Sequence, residues 1–277
     1  MFDTLRVMTS KRQGIPASLK RRLRQHHNFT CAMCPSPIYD YEHIDGYAST
    51  GHRFEDMTLL CPRHHREKTA GRLPASLVRK YRNQPYSTRR AATGGHPTHF
   101  AGPSQFMLIG DLTFETAGEN RAVGLADQGE VILGIRVENG APLIEIDLRD
   151  EANRPLLIVR SGELRFMSAS WDITVEGQRI TIWSEPETKA LVLDLNPPNE
   201  IRVPHADFWH AGIHVRAGTA SGYGGVQLRD AGESGHASFS GGTWIGGHFD
   251  IRDSKNVRPD AFFVISNVSA TFRGPGL

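Results

Sequence analysis

The chain has 277 residues, with 32 Lys and Arg against 30 Asp and Glu and three cysteines, enough for one large domain or two ordinary ones. No apolar run approaches the roughly 18 residues of a membrane span, the first residues lack the apolar core of a secretory leader, and three cysteines confined to residues 31–61 argue against a disulfide scaffold; a reducing, cytoplasmic setting without membrane attachment is expected. The near-neutral total hides a division, because residues 1–100 hold 17 basic against 7 acidic side chains, net +10, and residues 101–277 hold 15 against 23, net −8. Such asymmetry suggests a nucleic-acid-binding part joined to a part with another task.

In chain order, Ile15, Leu19 and Leu23 recur at i, i+4 and i+8 and predict a helix running to about His27. Pro16 suits its first turn, and Lys20, Arg21, Arg22 and Arg24 cover the rest of its surface. Tyr39–Asp45 and Met57–Leu60 read as two short antiparallel strands. A helix from Arg63 to about Ala70 follows, stopped by Gly71 and Pro74, and a further short helix spans Ala75–Arg82. Across these elements lie Cys31-x2-Cys34 and Cys61-x2-His64, the two halves of a tetrahedral zinc shell with no open position, which marks a structural ion. A basic module of about 70 residues with few apolar side chains needs such a staple to fold. Glu42, His43 and His65 form a second set of nitrogen and oxygen groups that this zinc leaves unused.

These residues carry a resemblance. Cys31-x2-Cys34, Glu42-His43-Ile44, Gly51-His52, Asp56-Met57-Thr58-Leu59-Leu60-Cys61-Pro62 and His64-His65 resemble the ββα-metal hairpin of the zinc-ribbon HNH endonucleases, and the flanking helices extend the likeness over about residues 14–84. Asp56 stands in the place of the family's central Asn, which ties the hairpin loop; a carboxylate can accept such bonds but not donate them. His64 replaces a fourth cysteine, a change that zinc accepts. The resemblance implies a metal-dependent endonuclease that hydrolyses DNA phosphodiester bonds. In it His43 is the general base, Glu42 and His65 hold a catalytic divalent cation (Mg²⁺ or another), and Asp56 completes the catalytic set. A neutral imidazole suits the base, since its pKa near roughly 6.5 matches cellular pH. Lys20, Arg21, Arg24, Arg66 and Lys68 are the candidate phosphate contacts, with little base recognition among them. His52 reads as a solvated loop residue.

Residues 85–105, rich in Pro, Gly, Ser and Thr and without periodicity, read as a linker. From 106 onward short apolar or alternating runs, among them 131–137, 143–148, 156–159 and 180–183, are punctuated by Asn139-Gly140, Ser161-Gly162 and Glu176-Gly177. That spacing predicts an all-β domain over 106–277, an antiparallel sandwich, barrel or roll, with a β-solenoid as the alternative for its glycine-rich end. The fold class expected is therefore α+β, with residues 1–84 as the zinc-stabilised module. His210-x3-His214 is not a convincing metal pair, and residues 218–225 lack the following helix of a phosphate loop. The acidic domain is expected to sense a small ligand, bind a protein or form a homo-oligomer, and so to control or target the nuclease. A prokaryotic restriction or anti-phage effector would have this build. A non-catalytic zinc-dependent DNA-binding protein and an RNA-directed nuclease are the rival readings.

Overall fold

The structure, a computed structural model, describes residues 14–88, 90–102, 105–116, 122–127, 130–218 and 224–230, and beyond them the backbone of short strands between His236 and Arg273. Three basic residues of the N-terminal part, Lys11, Arg12 and Arg89, lie outside the described residues.

The N-terminal part follows from its apolar spacing. Helix α1 (Ala17–His26) buries Leu19 and Leu23 against Met57 and Leu59, with Ile15, Tyr39, Tyr41 and Phe54 packed around them. Strands β1 (Asp40–His43) and β2 (Met57–Leu60) pair antiparallel, Tyr41 opposite Leu59 and His43 opposite Met57. Between them runs a loop with two short helical turns, α2 (Tyr47–Thr50) and a 3-10 turn at Phe54–Asp56. Helix α3 (Pro62–Thr69) starts with Pro62 in its first turn, where no intrahelical N–H is needed, and α4 (Ala75–Asn83) buries Val78. A second small core gathers Cys31, Ala32, Ile44, Leu60, Cys61, Leu73 and Val78. The chain is thus α+β, and among the described residues its few helices are confined to this end.

From His96 onward the described strands form one large, mainly antiparallel sheet that curls in the manner of a barrel. Successive hairpins supply most of it: Glu130–Glu138, Ala141–Arg149, Pro155–Arg160 and Glu163–Phe166 pair in turn, as do Asp172–Glu176, Arg179–Glu185, Thr188–Asn196, Glu200–His210 and Ile213–Gly218. Three of the turns have positive φ at both central residues, Asn139 and Gly140 (51° and 74°), Ser161 and Gly162 (51° and 70°) and Ala211 and Gly212 (47° and 86°). That is the mirror-image turn whose twist matches a right-handed hairpin. The curl depends on the long strand Glu200–His210. One edge pairs with 188–196, and the other pairs in parallel with Phe106–Ile109 and then antiparallel with 213–218. The rungs of a solenoid would be parallel; the antiparallel ladder of 213–218, 226–230 and 236–239 is not of that kind.

The segment 85–105 is not the free tether its composition suggested. Ser87 is buried, donating to His27 O (2.6 Å) and accepting from Thr30 Oγ1 (2.8 Å). The Tyr86 amide bonds Ala32 O, the Gly94 amide bonds Pro35 O, and the Thr93 amide bonds Phe166 O, each at 2.9 Å. His96–Pro97 then joins the sheet beside Glu163 and Leu164. A strap held by backbone bonds needs no hydrophobic period, which is why its sequence looks like a linker. Phe29 completes the attachment: set in a left-handed backbone conformation just after α1, it belongs to the apolar core of the sheet. Burying one such side chain is worth about 1.5–3 kcal/mol. Among the described residues, no helix is long and apolar enough to cross a membrane.

His27, directly after α1, is fully buried, with Nε2 3.3 Å from Thr58 Oγ1. Burial, aided by the nearby His26 and Arg82, pushes its pKa down to about 3. The unfolded chain, with an imidazole near its ordinary value, binds the proton first as pH falls. The stability held by neutral His27 is therefore complete above about pH 6.5 and lost progressively toward pH 3, at up to about 1.4 kcal/mol per pH unit. Denaturation midpoints at pH 7 and pH 5 should show this slope in the wild type and a shallower one in His27→Gln; equal slopes would remove His27 as the cause.

Candidate metal centre and the adjoining polar cluster

Cys31 and Cys34 lie on the turn that follows α1, Cys61 closes β2 and caps α3, and His64 sits in the first turn of α3. The pairing of β1 with β2 and the bond from the Ala32 amide to Leu59 O (2.8 Å) bring the two halves together. Cys31 Sγ and Cys61 Sγ stand 3.3 and 3.4 Å from His64 Nδ1, and Cys34 Sγ stands 3.7 Å from Cys61 Sγ. A tetrahedral zinc with ordinary Zn–S and Zn–N lengths has S···N edges of about 3.5 Å and S···S edges of about 3.8 Å. The four residues are therefore placed to hold a metal such as zinc, and among the described residues they are the one group of three or more clustered donors. The three cysteines are free thiols. Their mutual contacts separate them: the bond with Cys31 pulls Cys34 down to about 5, the same bond holds Cys31 well above the usual thiol range, and burial raises Cys61. A bound dication removes that competition by taking the charge of all three.

Glu42, on β1, faces α3. Its Oε2 lies 2.8 Å from His65 Nε2 and its Oε1 lies 2.6 Å from Lys68 Nζ. His65 and Lys68 are three residues apart and so share a helix face. Lys68 also donates to His43 O at 3.1 Å. Lys68, expected as a phosphate contact, is thus engaged with β1. Strand alternation sends the His43 side chain the other way, toward the 47–52 loop. It is buried, its Nε2 lies 3.0 Å from His52 Nδ1, and the Tyr47 ring stands edge-on to it at 5.4 Å. His52, expected in solvent, is part of this cluster and is also tilted over Tyr47 at 4.7 Å. Its position in the Gly51-His52 pair was the one available signal, and only closure of the loop makes it count.

Asp56 is buried and accepts from two arginines, Arg53 (Nε at 2.7 Å) and Arg79 (3.4 Å), and Arg79 also pairs with Asp45. Its backbone oxygen accepts from the Ile44 amide at 2.9 Å. The Arg53 bond holds its carboxyl below the usual carboxylate range. Arginine forks supply the donors that a carboxylate lacks, so Asp56 ties the loop to α4; its carboxylate is committed there rather than to His43.

Of the expected phosphate contacts, Arg66 is exposed and Lys20 half-buried, its ammonium 5.5 Å from the centre of the Tyr41 ring. Arg24, also expected there, is buried and bound to Asp172 through Nε (2.8 Å) and Nη2 (2.5 Å). Arg21 reaches the same carboxylate at 3.3 Å and lies over the Trp171 ring at 4.3 Å. In the sheet, His210 and His214 lie on successive strands of one hairpin and face different acids, Asp127 at 3.2 Å and Asp207 at 2.5 Å. No protein-family model matches this chain, and no curated protein or solved structure matches it either.

Proposed function

We propose that the chain is a metal-dependent endonuclease that hydrolyses DNA phosphodiester bonds. The observation that carries this reading is the Glu42–His65 pair at 2.8 Å, with the buried His43 as the next residue of the same strand, on a strand-strand-helix frame braced by the cysteine–histidine cluster. In this reading Cys31, Cys34, Cys61 and His64 hold a structural zinc. Their shell is closed, so the ion supplies folding energy and takes no part in the chemistry.

Glu42 and His65 offer two adjacent donors, the number that suits a hard cation such as Mg²⁺ which keeps waters and takes substrate phosphate into its shell. Such a cation, when bound, offsets the charge that gathers on the phosphoryl and leaving oxygens. The protein's own share is the proton and the position. His43 takes a proton from the water whose oxygen bonds to phosphorus as the P–O3′ bond breaks. His52 orients the ring and provides an acceptor along which a captured proton can pass. Lys68 holds the Glu42 carboxylate toward α3 and balances its charge. The exposed Arg66 and the half-buried Lys20, with the rest of the basic face, supply sequence-independent attraction to phosphate.

The sheet domain, acidic overall, is proposed to control or target cleavage through a ligand, a protein partner or self-association, as a restriction or anti-phage effector would require. One observation favours a second reading, a zinc-dependent DNA-binding protein without catalysis: the ammonium of Lys68 already neutralises Glu42. The two part on one experiment. Supercoiled plasmid and RNA of matched length, incubated with the full chain and Mg²⁺ or Mn²⁺, should show nicked or linear DNA, with cleavage abolished by EDTA and RNA cut more slowly. Intact plasmid under every divalent ion, with DNA retained in a shift assay, would leave the binding protein; preferential loss of the RNA would redirect the assignment to that substrate.

A further inference from the structure

We infer that Asp172, in the β domain, is a positioning residue for the nuclease site, acting through Arg24 and Tyr41. It rests on the nuclease reading above. Asp172 begins the strand 172–176 and is almost wholly buried. Its Oδ1 accepts from Arg24 Nε at 2.8 Å and from the Ile173 amide at 2.9 Å, and its Oδ2 accepts from Arg24 Nη2 at 2.5 Å and from Arg21 Nε at 3.3 Å. The remaining arm of the guanidinium, Nη1, donates to Tyr41 OH at 2.5 Å. Every nitrogen of Arg24 thus has a partner, and the chain of contacts runs from the sheet through α1 to the strand that carries Glu42 and His43.

Taking two charges out of water is costly, and the cost is recovered only with such complete bonding. A well-packed apolar pair would hold two surfaces together at least as well. What the ion pair adds is direction: a planar fork fixed on one carboxylate has a single place for its third arm. That arm holds the ring of Tyr41, and Tyr41 and His43, two residues apart on β1, lie on the same face of the strand. The attachment is rigid because it is not alone: Gln25 donates to Trp171 O at 2.7 Å, and Phe29 is seated in the core of the sheet. The β domain is therefore part of the catalytic unit, and Arg24 serves alignment instead of gripping phosphate.

Asp172→Asn and Tyr41→Phe in the full-length chain test this, the second removing one oxygen and keeping the ring. Two quantities are read: the single-turnover cleavage rate against DNA affinity, and hydrogen exchange of the amides of residues 41–43. In both variants the rate at saturating DNA should fall roughly tenfold or more, since small misplacements of reacting groups cost up to about 10²-fold. Affinity should stay within about twofold, and the strand amides should exchange faster. Unchanged exchange overturns the clamp. Faster exchange with an unchanged rate overturns the positioning role, and weaker binding with an unchanged rate shows Arg24 to be a phosphate contact after all. If the wild type cuts nothing, the inference falls with the nuclease reading; faster exchange in the variants then identifies that reading as the part that failed.

Discussion

His43→Ala should lower the rate of DNA cleavage by about 10²–10⁴-fold, the usual cost of losing a general base. The ring is buried between Tyr47 and His52, so its removal leaves a cavity and takes away the bond partner of His52. A modest fall in melting temperature is therefore part of the expectation. DNA affinity and metal content should not change, because Cys31, Cys34, Cys61 and His64 form a cluster of their own that does not include His43. The measurement is the cleavage rate at saturating divalent ion, with elemental analysis and a shift assay on the same preparation. A rate within a fewfold of wild type would sink the assignment of His43. His52→Ala should cost less, because it orients the ring and does not take the water's proton directly.

Cys61→Ser should have the largest effect on folding. The core that surrounds the four ligands is small and includes two of them, Cys31 and Cys61. Structural zinc is worth about 10–16 kcal/mol in zinc-finger peptides, more than a core of this size supplies on its own. The variant should lose its metal and the helical signal of the N-terminal part, while the sheet, which has its own extensive core, keeps its β signal. Wild-type protein should contain about one zinc per chain, and prolonged chelation should reproduce the variant. A metal-free protein with unchanged melting would show that the cysteine–histidine cluster does not hold the fold.

Elements in both parts of this chain were legible where they rest on a local rule. Leu19 and Leu23 recur at a helical period, and α1 buries both. Asn139-Gly140 and Ser161-Gly162 accept positive φ, and the hairpins turn there. Cys31-x2-Cys34 and Cys61-x2-His64 carry their ligand chemistry in their spacing, and the four donors meet. The partner of each charged side chain was not legible, since a charge has no period and pairs with whatever the fold brings near. Arg24, Lys68 and Asp56 were read from type and position as two phosphate contacts and a site residue. Folding assigns them to Asp172, to Glu42 and to Arg53 with Arg79.

By itself, then, the sequence determined α1, α3 and α4, fewer than half of the described strands, the metal-type cluster and the change from a basic to an acidic half, all of which depend on residues close along the chain. Only the tertiary structure decided that the segment after α4 is a strap, that the sheet curls on the strand Glu200–His210, and that Asp172 reaches across 148 positions to Arg24. Those outcomes depend on long-range pairing, where backbone hydrogen bonds and buried charges are satisfied by groups that no local pattern can name.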